Sequence, residues 1–442
     1  MIKKYNLFTV MALFMLTILH LYSEDVSASE SSQTMNETRA KFSTESTAVS
    51  FTTLEQAIQK ALEASPRLRS ATAWLDGAKG YALQAGVLPN PTIEIEAENI
   101  AGTGNFSGID SANITYSISQ RLEIGGERGY RKKAAKQTVM QGQYDLTIVR
   151  LNLIRDVRVA YADAVSAQDM LTLARERKDL EQAMIETVRK RVNSASAPEI
   201  QLRKAEIGLS TAHVFVERLE RELKHTKHVL ASLWEGHDEP ITLDNSEFTT
   251  LTIPPSEDMV EAMLSQTADL KRWEAEKDRA KAIFKLEQAE AIPNPIFSFS
   301  VRDIRESNDQ ALVVGVALPI PVFDRNRGNI DHARSMINKA KSDQVDSHIN
   351  LRNKVFEWLE NEVNAYHHAQ TLKMDIIPAA EEAFELARDG YQTGRFPYLE
   401  VLDAQRTLFE VKEQYIVALN QYHKASAFVE RLTTTVGDMN NE

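Results

Sequence analysis

The side chains that could carry chemistry are few, and most are acids. Glu94, Glu96 and Glu98 alternate with Ile93, Ile95 and Ala97. At a period of two, the carboxylates share one face of a strand and the apolar residues share the other. With the apolar face against lipid, the acids line the water-filled side, an arrangement that favours cation passage. The competing reading is that Arg121 and Arg302 neutralise them and leave only polar filler. A second pair, Glu400 and Asp403, is spaced to share one side of a helix. It follows Tyr391-Gln392-Thr393-Gly394-Arg395-Phe396-Pro397, where glycine suits the left-handed end of one helix and proline the first turn of the next. Acids in a first turn are also favoured by the helix dipole alone.

Nothing in the chain reads as an enzyme. It has no cysteine, which excludes thiol catalysis. It carries no zinc-protease His-Glu-x-x-His, no phosphate-binding Walker loop and no nucleophile elbow. His225 and His228 could share a helical face, but no third ligand accompanies them. The adjacent His367 and His368 diverge on a helix. No catalytic residue, cofactor or metal ligand is expected. The net charge of −12 argues against nucleic acid as a partner.

The N-terminus reads as an export signal over residues 1–28. Lys3 and Lys4 precede an apolar stretch from Leu7 to Leu21, and Val26-Ser27-Ala28 offers a cleavage site. Residues 29–50, rich in Ser, Thr and Glu, read as a flexible leader. Without cysteine there is neither a disulfide nor a lipid-modified N-terminal thiol, so membrane attachment must come from the folded protein.

The elements that must position the acids come twice, at a spacing of roughly 200 residues. Leu88-Pro89-Asn90-Pro91 answers to Ile292-Pro293-Asn294-Pro295, and Arg128-Gly129 to Arg327-Gly328. The first repeat spans 51–236 with a β-hairpin near 92–122. A linker runs over 237–255, with β-like pieces at Ile241-Thr242-Leu243 and Leu251-Thr252-Ile253. The second repeat spans 256–434 with a hairpin near 296–320, and a tail covers 435–442. Each Pro-Asn-Pro ends a helix and starts an extended segment, because proline lacks a donor and forces its predecessor out of the helical region. Four alternating runs follow, each about 9 residues, the length of a tilted strand crossing a bilayer. From Glu127 to Val192 no proline interrupts the helical pattern, a rod on the order of 100 Å. Pro378 interrupts the matching helix and predicts a kink.

Four strands cannot close a barrel, which needs about eight, and lipid does not tolerate open edges. Several copies must therefore share one barrel, with two and three copies both open at this level. The alternative is a periplasmic coiled-coil scaffold or adaptor without a pore, which has no use for strands of bilayer length.

From about Phe51 to Arg431 the chain resembles the TolC-like outer-membrane efflux factors. The resemblance rests on the duplicated plan, on Leu88-Pro89-Asn90-Pro91 and on Ile320-Pro321-Val322-Phe323-Asp324-Arg325-Asn326-Arg327-Gly328. It rests also on Tyr391-Gln392-Thr393-Gly394-Arg395 with Val401-Leu402-Asp403-Ala404. Gln120-Arg121-Leu122-Glu123-Ile124-Gly125-Gly126-Glu127-Arg128 is similar to the CzcC-like heavy-metal branch. The resemblance implies an α+β, mainly α fold. It implies a homotrimer whose long coiled-coil helices form a periplasmic α-barrel and whose strands build a shared twelve-stranded β-barrel in outer-membrane lipid. It further implies a passive exit duct, for heavy-metal cations in this branch and for drugs or secreted proteins elsewhere. Its expected partners are a periplasmic adaptor (membrane fusion protein) and an inner-membrane pump of the resistance-nodulation-division (RND) type. On this resemblance Glu400 and Asp403 ring the periplasmic mouth, and Tyr391 and Arg395 are candidate latches of the closed tip. The first tip departs from the pattern, with Asn193-Ser194-Ala195 where the family has glycine.

Overall fold

The computed structural model describes residues 51–236 and 241–437. The expected signal segment 1–28 and leader 29–50 lie outside them, as do the first residues of the linker and the last of the tail.

The chain opens with strand β1 (Phe51–Thr52), then helix α1 (Leu54–Ala64), started by a capping box between Thr53 and Gln56. Helix α2 (Pro66–Ala85) has proline in its first turn, where a missing donor costs nothing. After Pro-Asn-Pro come β2 (Thr92–Glu98) and β3 (Asn113–Arg121). Helix α3 (Glu127–Asn193) is 67 residues of unbroken α-helix, on the order of 100 Å long. It returns as α4 (Glu199–Ala231), followed by β4 (Thr242–Leu243). The second half opens with α5 (Glu257–Leu264) and α6 (Ala268–Glu290), then β5 (Ile296–Ile304) and β6 (Asp309–Ala317). Its long rod is α7 (Arg327–Thr371), a π-helical turn (Leu372–Ile376) and α8 (Ile377–Gln392), which returns as α9 (Tyr398–Thr433). The widened turn sits directly before Pro378, whose ring and missing N–H break the regular hydrogen-bond ladder. Among the described residues no helix is long and apolar enough to cross a membrane.

Several helical cores hold the rods together, and two of them bear on the tips and the linker. One packs Leu153, Val157 and Val165 of α3 against Leu230, Leu372 and Leu419 midway along the bundle. The other packs Ile185 and Val188 of α3 against Phe384, Tyr391 and Val401 near the turns. The linker straps the first core. β4 pairs in parallel with β1, and the Tyr161 hydroxyl lies 3.0 Å from Thr52 O and 2.6 Å from Asp244 O. The β-like piece at residues 251–253 does not become a strand. The Tyr422 hydroxyl accepts from Thr252 N at 3.0 Å and donates to Thr252 O at 2.9 Å, occupying the groups a ladder would need.

Candidate functional site

The four long strands form one antiparallel sheet in the order β2-β3-β5-β6. The two hairpins meet at the β3–β5 seam, which leaves β2 and β6 as edges. The registers carry apolar rows straight across: Ile93–Ile118–Phe299–Val314, and Ile95–Tyr116–Val301–Leu312. Between them run polar rows: Glu94–Ser117–Ser300–Val313, and Glu96–Thr115–Arg302–Ala311. One face is thus apolar across all four strands, while the other is polar on β2, β3 and β5 and carries Val313 and Ala311 on β6, a division that suits a wall between lipid and water.

The three strand acids differ. Glu98 is paired with Arg302 at 3.8 Å, and Arg302 Nε also donates to Thr115 Oγ1 at 3.2 Å. Glu94 and Glu96 are exposed and have no ion-pair partner among the described residues. Arg121 pairs with none of the three; its charge acts on Glu290, beneath the sheet.

Below the sheet, Pro-Asn-Pro becomes a joint. Asn294 is 6% exposed; its Oδ1 accepts from Ile124 N at 3.1 Å and its Nδ2 donates to Glu127 Oε1 at 2.5 Å. The second-half motif is thereby clamped to the start of the first-half rod. Glu123, in the same turn, makes a two-pronged ion pair with Arg131 at 2.6 and 3.0 Å.

At the far end lie the two helical tips. Gly394 takes the left-handed conformation at φ 78°, and Arg395 N and Phe396 N both donate to Gly390 O. Tyr391 is buried, and its phenol donates to Gln201 Oε1 of α4 at 3.2 Å. The guanidinium of Arg191, from the first tip, stacks 4.5 Å from the Tyr391 ring centre and donates to Tyr391 O. Burial pushes the Tyr391 phenol upward in pKa, and Arg191 pulls it back. Tyr391 therefore joins the two hairpins of one chain. Arg395 is exposed, and its side chain makes no hydrogen bond or ion pair among the described residues. Arg191 is the arginine that holds Tyr391. It sits in the first half where the second half has Gly390, a mismatch between repeats that could have marked it in the sequence.

Glu400 and Asp403 are exposed and line a groove between α8 and α9 with Ala380, Leu386 and Phe396. Among the described residues Asp403 has one ion-pair partner, the exposed Arg406 at 3.5 Å. Deeper in the bundle, Glu181 is buried, with Oε1 accepting from Gln405 Nε2 at 3.0 Å and Oε2 without a hydrogen bond among the described residues. Burial pushes its carboxyl upward, opposed by Arg177 and Gln405. No spacing pattern marks Glu181, because it sits in an ordinary polar helix. Among the described residues no group of three His, Cys, Asp or Glu side chains is placed to hold a metal.

These features match known proteins along nearly the whole chain. The family described as Outer membrane efflux protein matches residues 57–235 and 259–435. The cobalt-zinc-cadmium resistance protein CzcC of Cupriavidus metallidurans is 28% identical over 381 residues, covering 86% of this chain and 89% of that one. The nickel-cobalt-cadmium resistance protein NccC of Alcaligenes xylosoxydans xylosoxydans is 27% identical over 285 residues, 64% of each chain. Among solved structures, CusC superposes with a TM-score of 0.73 at 18% identity, covering 86% of this chain and 92% of that one. The outer membrane protein VceC of Vibrio cholerae gives 0.72 at 18% identity over 86% and 96%. With both halves matched, the duplicated rods and a sheet that has one lipid-like face are those of an efflux channel, and the chain belongs to the outer membrane efflux protein family.

Proposed function

We propose that three copies of this chain share one twelve-stranded barrel and act as the passive outer-membrane exit duct of a tripartite pump, carrying heavy-metal cations. The observation that carries this reading is the four-stranded sheet with two unpaired edges and one apolar face. Such a sheet is unstable in lipid until other copies close it. The cation preference draws on Glu94 and Glu96, which have no ion-pair partner among the described residues, and on the resistance proteins CzcC and NccC, named for cobalt, zinc, cadmium and nickel. The duct performs no chemistry of its own. Energy comes from an inner-membrane RND pump, reached through a periplasmic adaptor at the helical tips. Glu400 and Asp403 act at that mouth as a cation-attracting pair, and Tyr391 holds the tip in its closed form.

Native mass spectrometry in detergent should give a trimer, and planar bilayers should show cation-selective current. A folded monomer that conducts would overturn the shared barrel. Neutralising Glu400→Gln with Asp403→Asn, or Glu94→Gln with Glu96→Gln, should move the reversal potential in a salt gradient toward zero. An unchanged potential in either double variant removes that pair from the cation path.

A further inference from the structure

The duplication makes the chain its own template for the contact between copies. Within one chain, the seam between its halves is complete. β3 pairs with β5, and Asn294 of the second Pro-Asn-Pro is buried against the turn that starts α3. The outer sides of the same two hairpins carry the same parts with nothing among the described residues against them. Asn90, the first-half counterpart of Asn294, is exposed. So is the stretch beyond β6 that answers to the turn on which Asn294 sits: Leu318, Ile320 and Val322 are each more than half exposed, and Phe323 is 100% exposed. The exposed apolar segment and the exposed Asn90 are two halves of one unmade joint.

From this we infer that β6 of one copy pairs with β2 of the next in the register of the β3–β5 seam, Val314 opposite Ala97 and Gly315 opposite Glu96. The inference rests on the shared-barrel reading above. The register follows from three observations. The Pro-Asn-Pro motifs equate Asn90 with Asn294, and so Glu94 with Ser298. The hairpin registers then equate their partners, Ser117 with Gly315. In the internal seam Ser117 faces Ser300, the equivalent of Glu96. Gly315 of one copy therefore faces Glu96 of the next.

The resulting contact is chemically consistent on both faces. On the lipid side it sets Val314 beside Ala97 and Val316 beside Ile95, extending the apolar rows round the wall. On the water side, Val313, Gly315 and Ala317 lie beside Glu98, Glu96 and Glu94. β6 carries no basic residue. Glu94 and Glu96 are thus flanked by short neutral side chains on both sides, Ser117 and Thr115 within the chain and Ala317 and Gly315 across the joint. They remain free carboxylates in the closed assembly, while Glu98 keeps Arg302.

The cysteine-free chain lends itself to disulfide mapping. Opposed residues in an antiparallel pair alternate between wide and close spacing, so adjacent pairs cover both kinds. The full-length variants Ala97→Cys with Val314→Cys, and Glu96→Cys with Gly315→Cys, are expressed in outer membranes and treated with an oxidant. At least one should give a covalent trimer on a non-reducing denaturing gel, and single-cysteine controls should not. The two-residue-shifted pairs, Ala97→Cys with Val316→Cys and Glu96→Cys with Ala317→Cys, should stay monomeric. Cross-linking in the shifted pairs instead would overturn the register and keep the shared barrel. A disulfide within single chains would show that each copy closes on itself, which overturns both readings. No cross-link in any pair, with native mass spectrometry still giving a trimer, would show that β6 does not meet β2.

Discussion

At the first helical tip Ala195 holds the left-handed turn at φ 55°, and at the second Gly394 holds it at 78°. The hydrogen bonds are the same: the two amides that follow each turn converge on one carbonyl, Arg191 O in the first half and Gly390 O in the second. What differs is the residue bearing that carbonyl. A Cβ at position 390 would lie 2.1 Å from Phe396 Cδ2, so the second tip closes by an aromatic ring laid over glycine. The first tip has Ala197 in place of that ring, and Arg191 is free to reach across and hold Tyr391. The acids diverge as well. Glu400 and Asp403 of the second half answer to Gln201 and Lys204 of the first. Duplicated backbone geometry has thus been kept while the side chains divided the labour: one tip supplies the clamp, the other the carboxylates.

The same comparison can be attacked first at the barrel, where the halves should not differ. Ile95 of the first hairpin and Phe299 of the second lie in the apolar rows. Arginine at either should cost roughly 2–4 kcal/mol near the bilayer midplane and reduce the trimer recovered from outer membranes alike. Ser298→Ala, on the opposite face, should leave recovery unchanged. A harmful effect from one half only would break the equivalence of the two hairpins.

At the tips the halves should differ. Removing Arg191 (Arg191→Ala) deletes a charged hydrogen bond to Tyr391 O and the stacking on its ring, a loss of about 1.5–3 kcal/mol. Arg395→Ala should fall within about 0.5 kcal/mol, as for an exposed side chain without a partner. Hydrogen exchange at the amides of both turns reads this directly: Arg191→Ala should speed exchange in both tips. Faster exchange in Arg395→Ala than in Arg191→Ala would reverse the roles assigned to them.

Much of this fold is written locally. The Pro-Asn-Pro motifs, the period-two runs and the proline-free stretch after Glu127 mark strands and rods because each depends on neighbours in sequence. The divided face of β2 is legible for the same reason. What depends on distant partners is not. Arg302 lies in one cross-strand row with Glu96 yet pairs diagonally with Glu98, a choice made only once β2, β3 and β5 lie side by side. Arg191 reaches Tyr391 only because two hairpins pack side by side. The strand-like pattern at residues 251–253 is overridden by one tyrosine hydroxyl from α9. Pro378 is visible as a breaker, but the form of the break, a π-turn over Leu372–Ile376 with Leu372 buried in the mid-bundle core, is not.

A smaller effect should come from exchanging the turn residues. An alanine in the left-handed region costs roughly 1–2 kcal/mol that glycine does not. Gly394→Ala should lower tip stability by about 1 kcal/mol, whereas Ala195→Gly should be neutral or stabilising, since glycine's greater freedom in the unfolded chain offsets part of the relief. Thermal unfolding of the detergent-solubilised protein measures both. Two shifts of the same sign would mean that the tips are not built on the same turn.

The smallest effect concerns Glu181, whose second-half counterpart is the buried, uncharged Ala380. From α3 it faces Arg177, and from α9 Gln405 and Tyr398. Burial raises the Glu181 carboxyl above its ordinary value of 4.5, and Arg177 and Gln405 recover part of the loss. The folded chain therefore binds this proton more tightly than the unfolded chain does. For a raised acid, the cost of the charge is fully present above the folded pKa and fades as pH falls toward the unfolded value. Glu181→Gln mimics the protonated form. It should unfold at a higher temperature than the parent at pH 7, and the gap should close as pH falls toward about 4.5. Other buried acids, Glu362 among them, shift the same way in both proteins, so the difference between the two curves isolates Glu181. A parent that is more stable than Glu181→Gln at pH 7 would mean that the charge is favourable where it sits. Arg177 and Gln405 would then outweigh burial, and the asymmetry with Ala380 would be a stabilising one.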